Sequence, residues 1–134
     1  MVIIDTGPLV SLFDKTEPAH ELCHTVLRQF RAAPVTTWPV LTEAFYLLGN
    51  WEKGQKKLWD FFLAGGARIH DIPVELHVRM RELMEKYADN PMDFADASLV
   101  VTAEIHKIKK VFTLDRGDFD HYRPKHCRHF EIIP

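Results

Sequence analysis

Short apolar runs alternate along the chain with longer segments in which apolar residues recur every three or four positions. The short runs have the length and the β-branched content of buried strands, whereas the longer spacing is typical of helices with one buried face. This pattern predicts strands at residues 2–4, 35–37, 67–72, 111–114 and 130–133. It predicts helices that follow Pro8, that lie between Pro18 and Pro34, and that cover residues 39–48, 55–63, 73–87 and 94–106.

Residues at the ends of these segments support the boundaries. Pro8 and Pro39 suit the first turn of a helix, where the missing N–H of proline costs no hydrogen bond, and Gly49 is typical of a helix end. Strands that alternate with helices indicate an α/β fold with a mainly parallel sheet flanked by helices. The length of 134 residues fits one domain over residues 1–134.

The amino-acid composition restricts the class of protein but does not indicate an activity. Hydrophobic residues make up 46% of the chain, as in ordinary globular domains. No apolar stretch approaches the ~20 residues of a membrane span, and the N-terminus lacks the basic region of a signal peptide. Cys23 and Cys127 form neither a disulfide framework nor a CxxC pair. We therefore expect a cytoplasmic protein that does not associate with membranes.

Four acidic residues occupy positions at which a ligand site can form. Asp5 and Asp115 follow two predicted strands, and Glu43 and Asp96 lie near the starts of two predicted helices. Sites in open α/β sheets form at the carboxyl ends of the strands, so these side chains can meet although they are far apart in sequence. Like charges brought together favour a cation, and Mg²⁺ prefers carboxylate and phosphate oxygens. The pattern therefore predicts metal-assisted chemistry on a phosphodiester.

The segments around these acids resemble the motifs of PIN domains, and most closely those of the VapC-type toxin ribonucleases. They are VIIDT at residues 2–6, LTEA at 41–44, DASLVVTA at 96–103 and FTLDRGDF at 112–119. Each segment is a weak signal alone, but their order and spacing resemble the family along the whole chain. The resemblance implies a PIN-like three-layer fold and a Mg²⁺- or Mn²⁺-dependent ribonuclease, an endonuclease with RNA as its substrate.

The resemblance also assigns roles to individual residues. It implies four catalytic acids, Asp5, Glu43, Asp96 and Asp115. It implies metal ligands at Asp5, Asp96 and Asp115, with Glu43, Asp93 and Asp118 as further candidates. Beside these acids, a hydroxyl or a cation can hold a phosphate, so substrate contacts are predicted for Thr6, Thr113 and Arg116.

Two of the further candidates also have a simpler explanation. Asp93 precedes a predicted helix and is a favoured N-cap residue. Asp118 follows Gly117 and suits a turn. Both alternatives stay open on the sequence alone. Acids outside the motifs, such as Glu17, are expected on the solvated surface.

A second motif points to different chemistry. HELCH at residues 20–24 has the HExxH spacing, which on a helix can place two zinc ligands on one face beside a glutamate base. His20, however, lies in the first turn of its predicted helix, and no downstream signature supplies a third ligand. We expect His20 and His24 to be structural or surface residues, and a zinc peptidase is the remote alternative.

Protein partners are expected on two grounds. The resemblance implies the toxin of a type II toxin–antitoxin system, held silent by a cognate antitoxin. Apolar residues are dense over residues 40–63, which indicates a helical face buried in a homodimer or against a partner. The alternatives to the toxin hypothesis are a housekeeping nuclease and a catalytically silent PIN-fold module that binds RNA or a partner.

Overall fold

The computed structural model describes residues 1–134 and contains a five-stranded sheet. Its strands are β1 (Val2–Ile4), β2 (Val35–Thr36), β3 (Arg68–Ile69), β4 (Lys110–Phe112) and β5 (Glu131–Ile133). Their order across the sheet is β3-β2-β1-β4-β5, and every neighbouring pair is parallel. The chain runs outward from β1 to β3 and then returns to the other side of β1. The direction of strand order therefore reverses between β1 and β4, which is where open α/β sheets form their ligand crevice.

Seven α-helices flank the sheet. They are α1 (Thr6–Phe13), α2 (His20–Arg28), α3 (Trp38–Leu47), α4 (Lys56–Leu63), α5 (His77–Lys86), α6 (Phe94–His106) and α7 (Arg116–His121). A π-helical turn, Trp51–Gln55, precedes α4, and a 3₁₀ turn, Val74–Leu76, precedes α5. The predicted α/β fold with a parallel sheet flanked by helices is confirmed. None of the helices combines the length and the apolar character needed to cross a membrane.

Two predicted elements are shorter than expected, and one observed helix was not predicted. The helix expected between Pro18 and Pro34 is present as α2, but it ends at Arg28. The strand expected at residues 67–72 is only the two-residue β3 at the sheet edge. The helix α7 was not predicted, since Gly117 lies within it and the sequence there favours a turn.

Helix α6 occupies the centre of the structure and fixes one of the predicted acids. All of its residues from Ala95 to Ala103 are buried, and it packs against α3, α5 and β1. Ser98, in its second turn, hydrogen-bonds Thr37 at the end of β2 over 2.6 Å between the two hydroxyl oxygens. Asp96 is therefore carried by a helix that cannot shift without disrupting the core.

Candidate active site

A cavity of about 520 Å³ opens at the carboxyl ends of β1 and β4, and acidic side chains dominate its lining. All four predicted catalytic acids line it, although they come from four separate segments of the chain. The acids in its lining are Asp5, Glu17, Glu43, Asp93, Asp96, Asp115 and Asp118. The structure thus brings together every acid to which the sequence assigned a role.

Asp5 ends β1 and begins α1, which fixes its carboxylate at the floor of the cavity. Its Oδ1 accepts a 2.7 Å hydrogen bond from the backbone N–H of Thr6, so Asp5 is the N-cap of α1. Its Oδ2 accepts a 2.8 Å hydrogen bond from the hydroxyl of Thr113. Burial raises the pKa of Asp5 to about 6, and the charges of Asp93 and Glu43 add to the rise. The two hydrogen bonds oppose that rise because they favour the ionised form.

Asp96 lies in the first turn of α6, next to Asp5. Asp93 is the N-cap of this helix and accepts a 2.7 Å hydrogen bond from the backbone N–H of Asp96. Oδ2 of Asp96 accepts a 2.7 Å hydrogen bond from the hydroxyl of Tyr122. Burial raises the pKa of Asp96 to about 8, and the negative charges of Asp5, Asp93 and Asp118 contribute further. Its proton affinity is therefore high as long as no cation is near.

Asp115 and Asp118 belong to the unpredicted helix α7. Asp115 is its N-cap, and its Oδ1 lies 3.4 Å from the backbone N of Asp118, a long hydrogen bond. The hydroxyl oxygen of Thr113 accepts a 2.9 Å hydrogen bond from the N–H of Asp115. Burial and the neighbouring carboxylate of Asp115 raise the pKa of Asp118. Asp118 is thus part of a helix at the cavity wall rather than the end of a turn.

Two glutamates complete the acidic lining. The sequence predicted a role for Glu43 and none for Glu17. Glu43, on α3, is half-buried and makes no hydrogen bond or ion pair, so its longer side chain is free to reach into the cavity. Glu17 was expected on the solvated surface; it is half-buried in the loop between α1 and α2 and also lines the cavity. No local sequence signal marks Glu17, since its position depends on how that loop packs.

The three predicted substrate contacts have different surroundings. Thr6 lines the cavity, and its hydroxyl is buried without a hydrogen-bond partner. Thr113 is buried and its hydroxyl is engaged between Asp5 and Asp115, so it holds these two acids together instead of facing a ligand. Arg116 is exposed and donates a 2.6 Å hydrogen bond to the carbonyl of Pro134, outside the cavity lining.

The donor set fits a hard divalent cation. No lysine, arginine or histidine forms an ion pair with any acid of the cavity. Carboxylate oxygens, with the unpartnered hydroxyl of Thr6, are the ligands that Mg²⁺ and Mn²⁺ prefer. No three acidic, histidine or cysteine side chains surround one point closely enough to hold a metal ion. The fit therefore rests on the chemistry of the donors and on their uncompensated charge.

The HExxH segment has a structural explanation. Nδ1 of His20 donates a 2.7 Å hydrogen bond to the carbonyl of Ser11, and Nε2 of His24 donates a 2.8 Å hydrogen bond to the carbonyl of Leu12. Both carbonyls belong to the last turn of α1, where a helix has no internal partners for them. Glu21, the base that a peptidase would need, is almost fully exposed. The histidine pair of α2 thus caps the C-terminus of α1.

The parallel sheet, its strand order and the acidic cavity at the switch point define an α/β domain with a candidate metal site at the carboxyl ends of its strands. The chain belongs to the PIN domain family, whose model matches residues 2–124. It is similar to Ribonuclease VapC26 of Mycobacterium tuberculosis, with 28% identity over 143 aligned residues that cover 99% of this chain and 100% of that protein. The predicted family membership is thereby confirmed.

A solved structure supports the same fold. The chain superimposes on the crystal structure of VapC20 of Mycobacterium tuberculosis, described as a toxin that cleaves the Sarcin–Ricin loop. The TM-score is 0.78 at 15% identity, and the match covers 87% of this chain and 91% of that one. At this identity the likeness establishes the fold alone.

We expect Asp96→Asn to stabilise the metal-free protein at mildly alkaline pH by at least about 1–3 kcal/mol, because a buried polar group left unsatisfied costs this much and a charged group costs more. Burial raises the pKa of Asp96 from 3.8 to about 8, so the folded protein binds this proton more tightly than the unfolded chain does. The free energy of unfolding therefore falls as pH rises between these two values. The variant should lack this fall, because Asn keeps the bond from Tyr122 but does not ionise.

Urea unfolding in EDTA, followed as a function of pH, measures this difference. Asp89→Asn is the matched control, because Asp89 is exposed and lies outside the cavity. If the free energy of unfolding depended on pH in the same way in the wild type and in Asp96→Asn, the raised pKa of Asp96 would be contradicted.

Replacing His20 and His24 together with alanine should lower the free energy of unfolding by about 1–3 kcal/mol, since two hydrogen bonds to helix carbonyls are lost. RNA cleavage should stay within a few-fold of the wild type. Thermal unfolding and metal analysis of the purified protein test both points. Stoichiometric zinc that disappears in the double variant would restore the peptidase hypothesis.

Proposed function

We propose that this PIN domain is a metal-dependent ribonuclease that hydrolyses RNA phosphodiester bonds as an endonuclease. The observation that carries the proposal is the group of carboxylates in one cavity with no cationic side chain to neutralise them. Family membership and the similarity to Ribonuclease VapC26 support it. We further propose that residues 1–134 form one domain, since one core cluster of buried residues joins the helices to the sheet.

Each acid has a role that follows from its position. We propose that Asp5, Asp96 and Asp115 hold Mg²⁺ or Mn²⁺, with Glu43, Asp93 and Asp118, which line the same cavity, as further candidate ligands. Such an ion, when bound, supplies an activated water and stabilises charge on the phosphate. Glu43 has no other partner, so its carboxylate can accept a proton from the attacking water. The hydroxyl of Thr6 can donate to a phosphate oxygen, and Arg116 keeps only a peripheral role at the edge of the site.

The competing hypotheses are weaker on specific grounds. A catalytically silent PIN-fold module would be expected to lack at least one of the four acids, and all four line the cavity. A zinc peptidase is disfavoured because His20 and His24 are engaged with backbone carbonyls. A housekeeping nuclease would share the same site chemistry, so only the biological context separates it from a toxin.

We propose that the protein is the toxin of a type II toxin–antitoxin pair and that it acts in the cytoplasm. The similarity to VapC proteins along nearly the whole chain supports this proposal. An antitoxin could insert an arginine into the acidic cavity, since arginine pairs with carboxylates through two hydrogen bonds. Its apolar residues would cover the large exposed apolar side chains between residues 40 and 63, which are Tyr46, Leu47, Trp51, Trp59 and Leu63.

A homodimer is the second partner that we propose. Trp38 and Phe94 are more than half exposed beside a cavity of about 960 Å³ that is separate from the acidic one. Val74 and Val78, near the start of α5, are exposed as well. Exposed apolar side chains beside a cavity support a contact between two copies here.

Asp5→Asn should reduce RNA cleavage more than about 100-fold, beyond the usual loss on removing an outer-shell partner of a metal. The substitution removes charge at the centre of the cluster and nearly keeps the shape of the side chain. Cleavage of total bacterial RNA with Mg²⁺, with Mn²⁺ and in EDTA measures the effect. Asp120→Asn is the matched control, an exposed acid on α7 outside the cavity lining. Wild-type cleavage that persists in EDTA would refute the metal-dependent mechanism.

Expression of the wild-type protein alone should arrest bacterial growth, and co-expression of a protein encoded beside it should restore growth. Asp96→Asn should be harmless alone, because it cannot bind the metal properly. Growth curves and immunoblots that show equal protein levels make the comparison. If wild-type expression in the native host without its neighbour has no effect, a housekeeping nuclease becomes the better account.

A further inference from the structure

Tyr122 lies outside the motifs of the sequence, yet its hydroxyl reaches the acidic cluster. It directly follows α7, and its side chain is fully buried. The hydroxyl donates a 2.7 Å hydrogen bond to Oδ2 of Asp96. A buried ring cannot touch RNA, so any effect of Tyr122 on the reaction must act through Asp96.

The position of the Tyr122 hydroxyl is fixed from two directions. Its ring packs edge-on against Tyr87 and Phe119, with ring centroids 5.1 Å and 5.2 Å apart. Its backbone N–H donates a 3.1 Å hydrogen bond to the carbonyl of Asp118 in α7. The phenol is therefore held by the core on one side and by the helix that carries Asp118 on the other.

The two oxygens of Asp96 have different surroundings as a result. Oδ2 is anchored by Tyr122, whereas Oδ1 makes no hydrogen bond, and the residue lines the acidic cavity. Carboxylates that bind metals are commonly held by a hydrogen bond to one oxygen, which orients the other. A neutral donor such as a phenol orients the carboxylate without cancelling its charge.

We propose that Tyr122 is a positioning residue that holds Oδ2 of Asp96 so that Oδ1 faces the divalent cation. The hydroxyl of Tyr122 bonds to Asp96 of α6, and its backbone N–H bonds to the carbonyl of Asp118 in α7. Tyr122 thereby links the acid of α6 to the helix that carries Asp118. This inference rests on the proposed metal-dependent function, and it assigns a role to a residue that does not line the cavity.

Tyr122→Phe removes the hydroxyl and keeps the ring, so it tests the contact directly. We expect the dissociation constant for Mn²⁺, measured by electron paramagnetic resonance on the full-length protein without RNA, to rise by about 10-fold to 100-fold. RNA cleavage should fall at low Mn²⁺ and recover as Mn²⁺ is raised. Tyr87→Phe is the matched control: it removes a hydroxyl from the same aromatic cluster, one that accepts from the N–H of Arg123 and touches no carboxylate. Its Mn²⁺ affinity should equal that of the wild type.

The possible outcomes separate the inference from the function on which it rests. Unchanged Mn²⁺ affinity in Tyr122→Phe, with or without a lower melting temperature, would overturn the positioning role and leave the ribonuclease proposal intact. A wild-type protein that binds no Mn²⁺ would overturn both.

If Tyr122→Phe fails to fold, the wild-type protein supplies the test. The chain has three tyrosines. Carbon NMR spectra of the Tyr46→Phe and Tyr87→Phe variants therefore assign the phenol carbon signal of Tyr122 by elimination. Mg²⁺ should shift this signal, and a signal that does not move would overturn the proposal.

Discussion

Negative charge is concentrated at one edge of the parallel sheet, and the other parts of the site are arranged around it. Asp5 and Asp96 are both buried there, and the partners of their carboxylates are neutral: a backbone N–H, the hydroxyl of Thr113 and the hydroxyl of Tyr122. Neutral donors stabilise an ionised carboxylate without compensating its charge. The negative charge of the site therefore stays uncompensated and attracts a cation, while the hydrogen bonds fix the geometry of the side chains.

Much of this charge is placed by the termini of helices. Asp5, Asp93 and Asp115 are the N-caps of α1, α6 and α7, respectively. The positive end of a helix dipole favours an acid at this position. Three helices therefore begin at the cavity, and the backbone of each helps to hold one acid in place. The same residues serve the local folding of the chain and the chemistry proposed for the site.

The sequence allowed the fold and most of the site to be predicted because the signals involved are local. The apolar run before Asp5 and the cap signal at Asp93 each extend over a few residues. Glu17 and Tyr122 could not be found in this way, since their contacts depend on how distant segments pack. Helix α7 was missed because Gly117 has a low helix propensity and favours a turn, and the cap formed by Asp115 is seen only in the structure. The HExxH spacing was set aside on the sequence, and the hydrogen bonds of its histidines to the carbonyls that end α1 became visible only in three dimensions.

The caps also constrain how such a site can be lost during evolution. Asn is as good an N-cap as Asp, so a change to Asn at Asp5 or Asp93 removes charge from the site while the helix keeps its start. Changes to apolar residues remove the cap as well and cost about 0.5–2 kcal/mol of stability. Lineages in which selection for cleavage is relaxed should therefore first lose activity through substitution of these aspartates by asparagine. Such descendants would remain well-folded PIN domains.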